Sequence, residues 1–298
     1  MDRRDVAARA LMRFGAHVTT GGALATVPYR AAEIGAECVQ IFVGNPRGWR
    51  FVPPSDEAIE GFRKGCAETG VEPFVHCMYL VNYGTADDAL RQRSIAALAD
   101  TMRVADELGV TGVVTHLGSH KKTGFASVLD RLCDGLSAGL AASRHTLLLP
   151  ENSAGQGDTI GSITELGAIV HRLGDDRVGV CLDTAHLLAA GHEIRTRAGL
   201  DALAAEFDAA IGLPRLRVLH LNDSKTDLGS RVDRHQNIGD GYIGAAGFAQ
   251  FVNHPAFADL PGLLEVPGLA GKGPDAANLE RLRTLVRRAG QQPRPRRR

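Results

Sequence analysis

Residues 178–194 read VGVCLDTAHLLAAGHEI. The run from Val178 to Leu182 is apolar enough to be buried on both faces, as a strand of a parallel sheet is, yet it ends in Asp183 with His186 three residues later. Seven further apolar runs bounded by turn residues lie on either side: 16–18, 38–43, 73–77, 112–117, 146–151, 217–223 and 262–267. Segments with helical periodicity separate them, among them 86–109, 127–142 and 162–174, and several end in glycine as a helix C-cap does. Eight strand–helix units over about 270 residues predict an α/β chain folded as a single-domain (β/α)8 TIM barrel. A doubly wound sheet more often carries a glycine-rich phosphate turn after its first strand, and none follows the first strand here. The expected boundaries are an N-terminal extension over 1–13, the barrel over 14–289 and a basic tail over 290–298.

Composition narrows the function classes. Hydrophobic residues make up 44% of the 298 and charged residues 23%, which suits a soluble chain with a sizeable core. Lys+Arg and Asp+Glu both number 34, so net charge does not advertise a nucleic-acid partner, although a local basic patch is compatible with it. Cys38, Cys66, Cys77, Cys133 and Cys181 are widely spaced and form no CxxC pair, which argues against a disulfide framework or a cysteine-ligated zinc and for a reducing cytoplasm. No stretch reaches the length of a transmembrane helix, and the charged opening MDRRDVAARALMRFGAHV lacks a secretory apolar core, so no membrane partner is expected. The Pro- and Arg-rich end reads as a solubilising tail, with attraction to phosphate as the alternative.

The chemistry sits at the strand ends. His76, His116, Glu151, Asp183, His220 and Glu265 fall near the C-terminal ends of six of the eight strands, and those ends converge at one mouth of a barrel. His186 follows the sixth strand; Asp233 and His235 follow the seventh. Any one histidine reads first as a hydrogen-bonded, partly buried imidazole. Five imidazoles and four carboxylates gathered at one mouth without a cation would cost several kcal/mol per buried carboxylate. Divalent metal removes that penalty, and nitrogen and oxygen ligands without sulfur favour zinc, with manganese or iron as runners-up. Asp183 and His186 are spaced for one shared ion or two adjacent ones. Asp233 and His235, two apart, fall on one face of an extended segment and suit a single ion. Nine ligands exceed what one tetrahedral ion uses, and multi-metal sites of this kind suit phosphoester hydrolysis.

The motifs IFVGNPRGW (41–49), HCMYLVNYG (76–84), ENSAGQG (151–157), CLDTAHLLAAG (181–191), HLNDSK (220–225) and DRHQNIGDG (233–241) together resemble the endonuclease IV family of zinc-dependent apurinic/apyrimidinic (AP) site endonucleases. The resemblance implies about three Zn2+ per chain. His76, His116 and Glu151 would hold the first, Glu151, Asp183, His220 and Glu265 the second, and His186, Asp233 and His235 the third. Glu151, bridging two ions, and Glu265 would be the catalytic carboxylates. The implied reaction hydrolyses the phosphodiester 5′ to an abasic site in damaged double-stranded DNA, leaving a 3′-hydroxyl and a 5′-deoxyribose phosphate, with trimming of blocked 3′ ends. Arg47 and Tyr79 match family positions that enter the DNA, and an aromatic ring can fill the stack left by an extruded nucleotide. The implied protein is a cytoplasmic monomer acting in base excision repair. Departures from the family pattern are Leu117 within HLG (116–118), Met78, Val266 within EVP (265–267), Gly48 and Ala185, none of them a ligand, and they admit a specialised paralogue. The alternatives are a sugar isomerase or epimerase on a metal barrel, which does not need His186, Asp233 and His235, and a damage-binding protein that has lost catalysis.

Overall fold

The computed structural model describes residues 12–286. Eight parallel strands form the inner wall: β1 (Arg13–His17), β2 (Cys38–Ile41), β3 (Glu72–His76), β4 (Gly112–Thr115), β5 (Leu147–Pro150), β6 (Val180–Asp183), β7 (Leu216–His220) and, eighth in the wall, β10 (Pro261–Leu264). Their hydrogen-bonded order is β5-β4-β3-β2-β1-β10-β7-β6. The seam closes between the two ends of that order: Leu148 N donates to Arg177 O at 2.9 Å, and Gly179 N to Leu148 O at 3.0 Å. The expected TIM barrel is what the chain forms. A two-residue antiparallel ribbon, β8 (Asp223–Ser224) with β9 (His235–Gln236), stands on the mouth after β7.

The helices α1 (Val27–Glu33), α2 (Asp56–Thr69), α3 (Asp88–Leu108), α4 (Phe125–Leu140), α5 (Ile163–Leu173), α6 (Thr184–Ala190), α7 (Arg197–Ala210), α8 (Gly244–Phe251) and α9 (Ala276–Leu285) join the strands. Local chemistry sets their ends. The Ser55 side chain caps α2, Asp87 caps α3, and Ser162 with Glu165 closes a reciprocal capping box on α5; Gly70, Gly109 and Gly174 end these helices in the left-handed conformation. The first strand begins at Arg13, one residue ahead of the expected barrel boundary at Phe14. The basic tail assigned to 290–298 lies outside the described residues.

Strand periodicity divides the core in two and aims the site. Cys38, Phe74, Val114, Leu149, Cys181, Val218 and Leu263 form a cluster inside the barrel. Their neighbours Val39, Val75, Val113, Leu148, Val180, Leu219 and Leu264 belong to the larger layer under the helices. Successive side chains alternate across a strand, so the residue two positions after each inner apolar residue also points inward, one layer nearer the mouth.

Candidate metal centre and mouth of the barrel

Following that rule, the inner apolar layer is succeeded by Gln40, His76, His116, Glu151, Asp183, His220 and Glu265, and His17 takes the same place on β1. All eight strands thus contribute a polar side chain to one layer. The sequence reading found six. It passed over His17 and Gln40, although their positions, at the C-terminal end of β1 and two after Cys38 on β2, carried the signal.

Glu151 is the hub. It is 1% exposed, and its carboxylate oxygens lie 3.3 Å from His76 Nε2, 3.4 Å from His116 Nδ1, 3.5 Å from His186 Nδ1 and 3.0 Å from His220 Nδ1. Burial by itself would push the Glu151 carboxyl up; His116 and His220 outweigh it and hold the group well below the usual carboxylate range. Glu265 behaves alike: burial opposes its charge, while His220 above all holds it well below that range. Among the described residues four groups of potential ligands have donor atoms within 4.8 Å of one another: His76, His116 and Glu151; Glu151, Cys181 and His220; Glu151, Asp183, His220 and Glu265; and Asp183, His186 and His235. Asp233 stands over the last of these, its Oδ1 3.3 Å from His186 Nε2 and 3.4 Å from His235 Nε2. The nine residues named from sequence are therefore brought together, with Glu151 common to the groups of His76 and of His220, and Asp183 common to the groups of His220 and of His186.

Local structure explains Asp183 and His186. Asp183 is the last residue of β6 and also the N-cap of α6, its Oδ1 accepting from His186 N at 2.8 Å. The three-residue spacing is that of a capped helix start, which turns the His186 ring back over the strand end. Its Nδ1 donates to Asn152 O at 2.9 Å, leaving Nε2 toward Asp233. His186 Nε2 and His235 Nε2 are both buried without a hydrogen-bond partner. A lone pair facing a carboxylate oxygen at this range is repulsive unless a cation lies between them, so the donor set fits a divalent metal. In the metal-free chain a proton serves instead. Burial disfavours the charged ring, but Asp183, Asp233 and Glu151 push His186 up to about 10.

The ribbon that delivers His235 and Asp233 is held by a clasp. Gly239–Gly244, GDGYIG, matches the spacing of a phosphate-binding glycine loop, a match the sequence reading overlooked. Its amides are already engaged with a carboxylate of the chain itself. Gly239 N and Gly241 N reach Asp223 Oδ2 at 2.9 and 3.0 Å, and Ile243 N reaches Oδ1 at 2.9 Å. A Cβ on Gly241 would lie 2.4 Å from Ser224 O, so only glycine fits there. Asp223→Ala takes the acceptor from three amides, of which that of Ile243 is buried, and a stability loss of about 1–3 kcal/mol is expected, read by denaturant unfolding. An unchanged midpoint would mean that the clasp is dispensable.

Tyr79 divides the mouth. It is 45% exposed, its ring lies 6.0 Å from that of His116, and its amide donates to Pro46 O at 3.0 Å, tying its loop to the one that carries Arg47. On one side lies a hollow of about 490 Å³ lined by His17, Glu265 and Lys272; on the other, one of about 390 Å³ lined by His116, His186, Asp233 and Lys121. Arg47 is exposed on the rim. A smaller hollow of about 210 Å³ under the Arg47 loop, lined by Phe42, Trp49, Phe51 and Met78, contains no carboxylate of the centre.

Comparison with known proteins decides the family. A family model described as xylose isomerase-like TIM barrel matches residues 28–287. "Probable endonuclease 4" of Chloroflexus aurantiacus is 41% identical over 284 residues, spanning 93% of this chain and 99% of that protein. The chain belongs to the endonuclease IV family. A family member from Halothermothrix orenii is 38% identical over 91% of this chain and 99% of its own length. The crystal structure of endonuclease IV from Thermus thermophilus superposes with a TM-score of 0.81 at 36% identity, covering 92% of this chain and 98% of that one. A D-tagatose 3-epimerase-like protein, with a TM-score of 0.70 at 18% identity over 92% of this chain, shares the fold alone. The departures from the family pattern all lie off the nine donor residues: Leu117, Ala185 and Val266 are buried, and Met78 lines the small hollow. All five cysteines are free, and among the described residues no helix is long and apolar enough to cross a membrane.

Proposed function

We propose that this chain is a metal-dependent AP endonuclease of base excision repair. It cleaves the phosphodiester 5′ to an abasic site in double-stranded DNA to give a 3′-hydroxyl and a 5′-deoxyribose phosphate, trims blocked 3′ ends, and acts as a cytoplasmic monomer. The observation carrying this reading is the set of three adjoining carboxylate–imidazole groups linked through Glu151 and Asp183 at the mouth of one barrel. His76, His116 and Glu151 would hold one Zn2+, Glu151, Asp183, His220 and Glu265 a second, and His186, Asp233 and His235 a third. Such ions, when bound, bring water into its ionised form near neutral pH and offset negative charge on a phosphate. A one-metal isomerase has no use for the third group.

The residues of the chain supply the remainder. Glu151 and Glu265 arrange the neighbouring imidazoles and keep their own charge despite burial. Tyr79, projecting between the two hollows, is placed to pack against the bases around an extruded nucleotide, and Arg47 on the rim to meet the backbone. Lys121 and Lys272 give each hollow a positive side chain suited to flanking phosphates.

The test is incision of a duplex bearing one abasic site by protein of verified metal content. Cleavage on the 5′ side supports the reading; intact DNA with metal present overturns it. In the same assay Tyr79→Ala is expected to raise KM roughly tenfold with a smaller effect on kcat, since stacking contributes about 1–3 kcal/mol to binding. An unchanged KM would remove Tyr79 from the DNA contact.

A further inference from the structure

Resting on the metal-centre reading above, we propose that Gln40 is a positioning residue that selects the ring tautomer of His220, so that His220 presents Nδ1 to the ion shared with Glu151 and Glu265. Gln40 is fully buried at the C-terminal end of β2, and its amide meets three polar groups of the mouth layer. Nε2 lies 2.7 Å from Glu265 Oε1 and 3.1 Å from His17 Nδ1; Oε1 lies 2.9 Å from His220 Nε2.

The orientation of the amide follows from its partners. Glu265 Oε1 is an acceptor, so the NH2 end of Gln40 must face it, because an amide oxygen at 2.7 Å from a carboxylate oxygen would be repulsive. The second N–H then reaches His17 Nδ1, which must offer a lone pair. The amide oxygen is left facing His220 Nε2, which must donate to it. A neutral His220 with its proton on Nε2 has its free lone pair on Nδ1. Nδ1 is the atom that lies 3.0 Å from Glu151 and 3.4 Å from Glu265.

His220 differs in this from the other ligand imidazoles whose outer nitrogen is fixed. His76 Nδ1 donates to Cys77 O at 2.6 Å and His186 Nδ1 to Asn152 O at 2.9 Å, both backbone carbonyls that any sequence would supply. The outer nitrogen of His220 depends on a side chain, and so its role can be removed by one substitution. Outer partners of metal-bound imidazoles typically change metal affinity by about 10–100-fold.

Gln40→Met keeps the volume and removes donor and acceptor together. Titration of the variant with Zn2+ against a chromophoric chelator is expected to show one ion weakened roughly 10–100-fold while the others bind as in the wild type. In the Zn2+-loaded wild type, the 15N imidazole spectrum should place the His220 proton on Nε2. Unchanged affinity for every ion, or equal weakening of all of them together with a lowered melting temperature, overturns the proposal in favour of a packing role. A His220 proton on Nδ1 in the loaded wild type overturns it even if the variant fails to fold. Neither readout uses DNA. A wild type that binds Zn2+ as described and leaves abasic DNA intact would overturn the nuclease reading and leave the role of Gln40 standing.

Discussion

Replacing Glu151 by Gln is expected to lower abasic-site incision by several orders of magnitude, roughly 10³-fold or more, measured under single-turnover conditions with saturating Zn2+. The change removes one oxygen acceptor and the charge from the residue that touches His76, His116, His186 and His220. An amide there donates an N–H to at least one imidazole lone pair and so occupies an electron pair that a metal would use, and the groups that share Glu151 lose their common charged ligand. The global fold should survive, because the apolar layer beneath, including Leu149 and Phe74, is untouched. The expected signature is therefore lost metal and lost turnover in a chain that still folds, with a metal-free melting temperature lowered by the lost ion pairing. An active Glu151→Gln enzyme would show that this carboxylate does not organise the centre.

Stripping the metal with a chelator is expected to abolish cleavage and to reverse the pH dependence of stability. In the metal-free chain protons take the place of cations. Burial opposes charge on His220, but Cys181, Glu265 and Glu151 hold it well above its usual 6.5, and His186 is pushed up to about 10. A raised imidazole stabilises fully below 6.5 and loses that contribution as pH climbs through the folded-state value. Glu151 and Glu265, held low, contribute above the usual 4.5 and lose their contribution as pH falls below it. The metal-free melting temperature should thus decline from 6.5 toward 10, whereas below 6.5 His17 and His116, which burial pushes down, oppose folding as they are forced to charge, so the maximum lies near 6.5.

Zn2+ competes with those same protons, so its affinity rises over the range in which metal-free stability falls. The gap in melting temperature between loaded and stripped protein should widen from pH 6.5 to 10, since stabilisation grows with the ratio of ligand to its dissociation constant. A constant gap across that range would mean that the imidazoles are not the protonated partners of the carboxylates. Isothermal titration in buffers of different ionisation enthalpy gives an independent check, because the same competition requires proton release on Zn2+ binding.

Much of this centre was legible before any coordinate. The alternation of apolar strands and helical segments gave the barrel because a parallel strand must be buried on both faces and must be followed by a crossover. The C-terminal placement of His76, His116, Glu151, Asp183, His220 and Glu265 named the mouth, since all parallel strands end at the same rim. The loop ligands His186, Asp233 and His235 could be listed, but their grouping could not: the spacing of Asp183 and His186 allowed one ion or two, and the structure resolves it as a capped turn that places Asp183 between two groups.

The sequence by itself determined which residues face the mouth, through the two-residue period of each strand and the one direction that parallel strands share. The tertiary structure alone decided which of them meet. Gln40 touches His220 across 180 residues and Glu265 across 225, because barrel closure sets β2 opposite β7 and near β10. The GDGYIG loop has the spacing of a phosphate site and holds Asp223 instead, because the turn after β7 brings that carboxylate under the loop before any ligand can reach its amides. Periodicity is local and survives in the sequence, whereas hydrogen-bond partnership across a closed barrel depends on closure, which no short window of residues records.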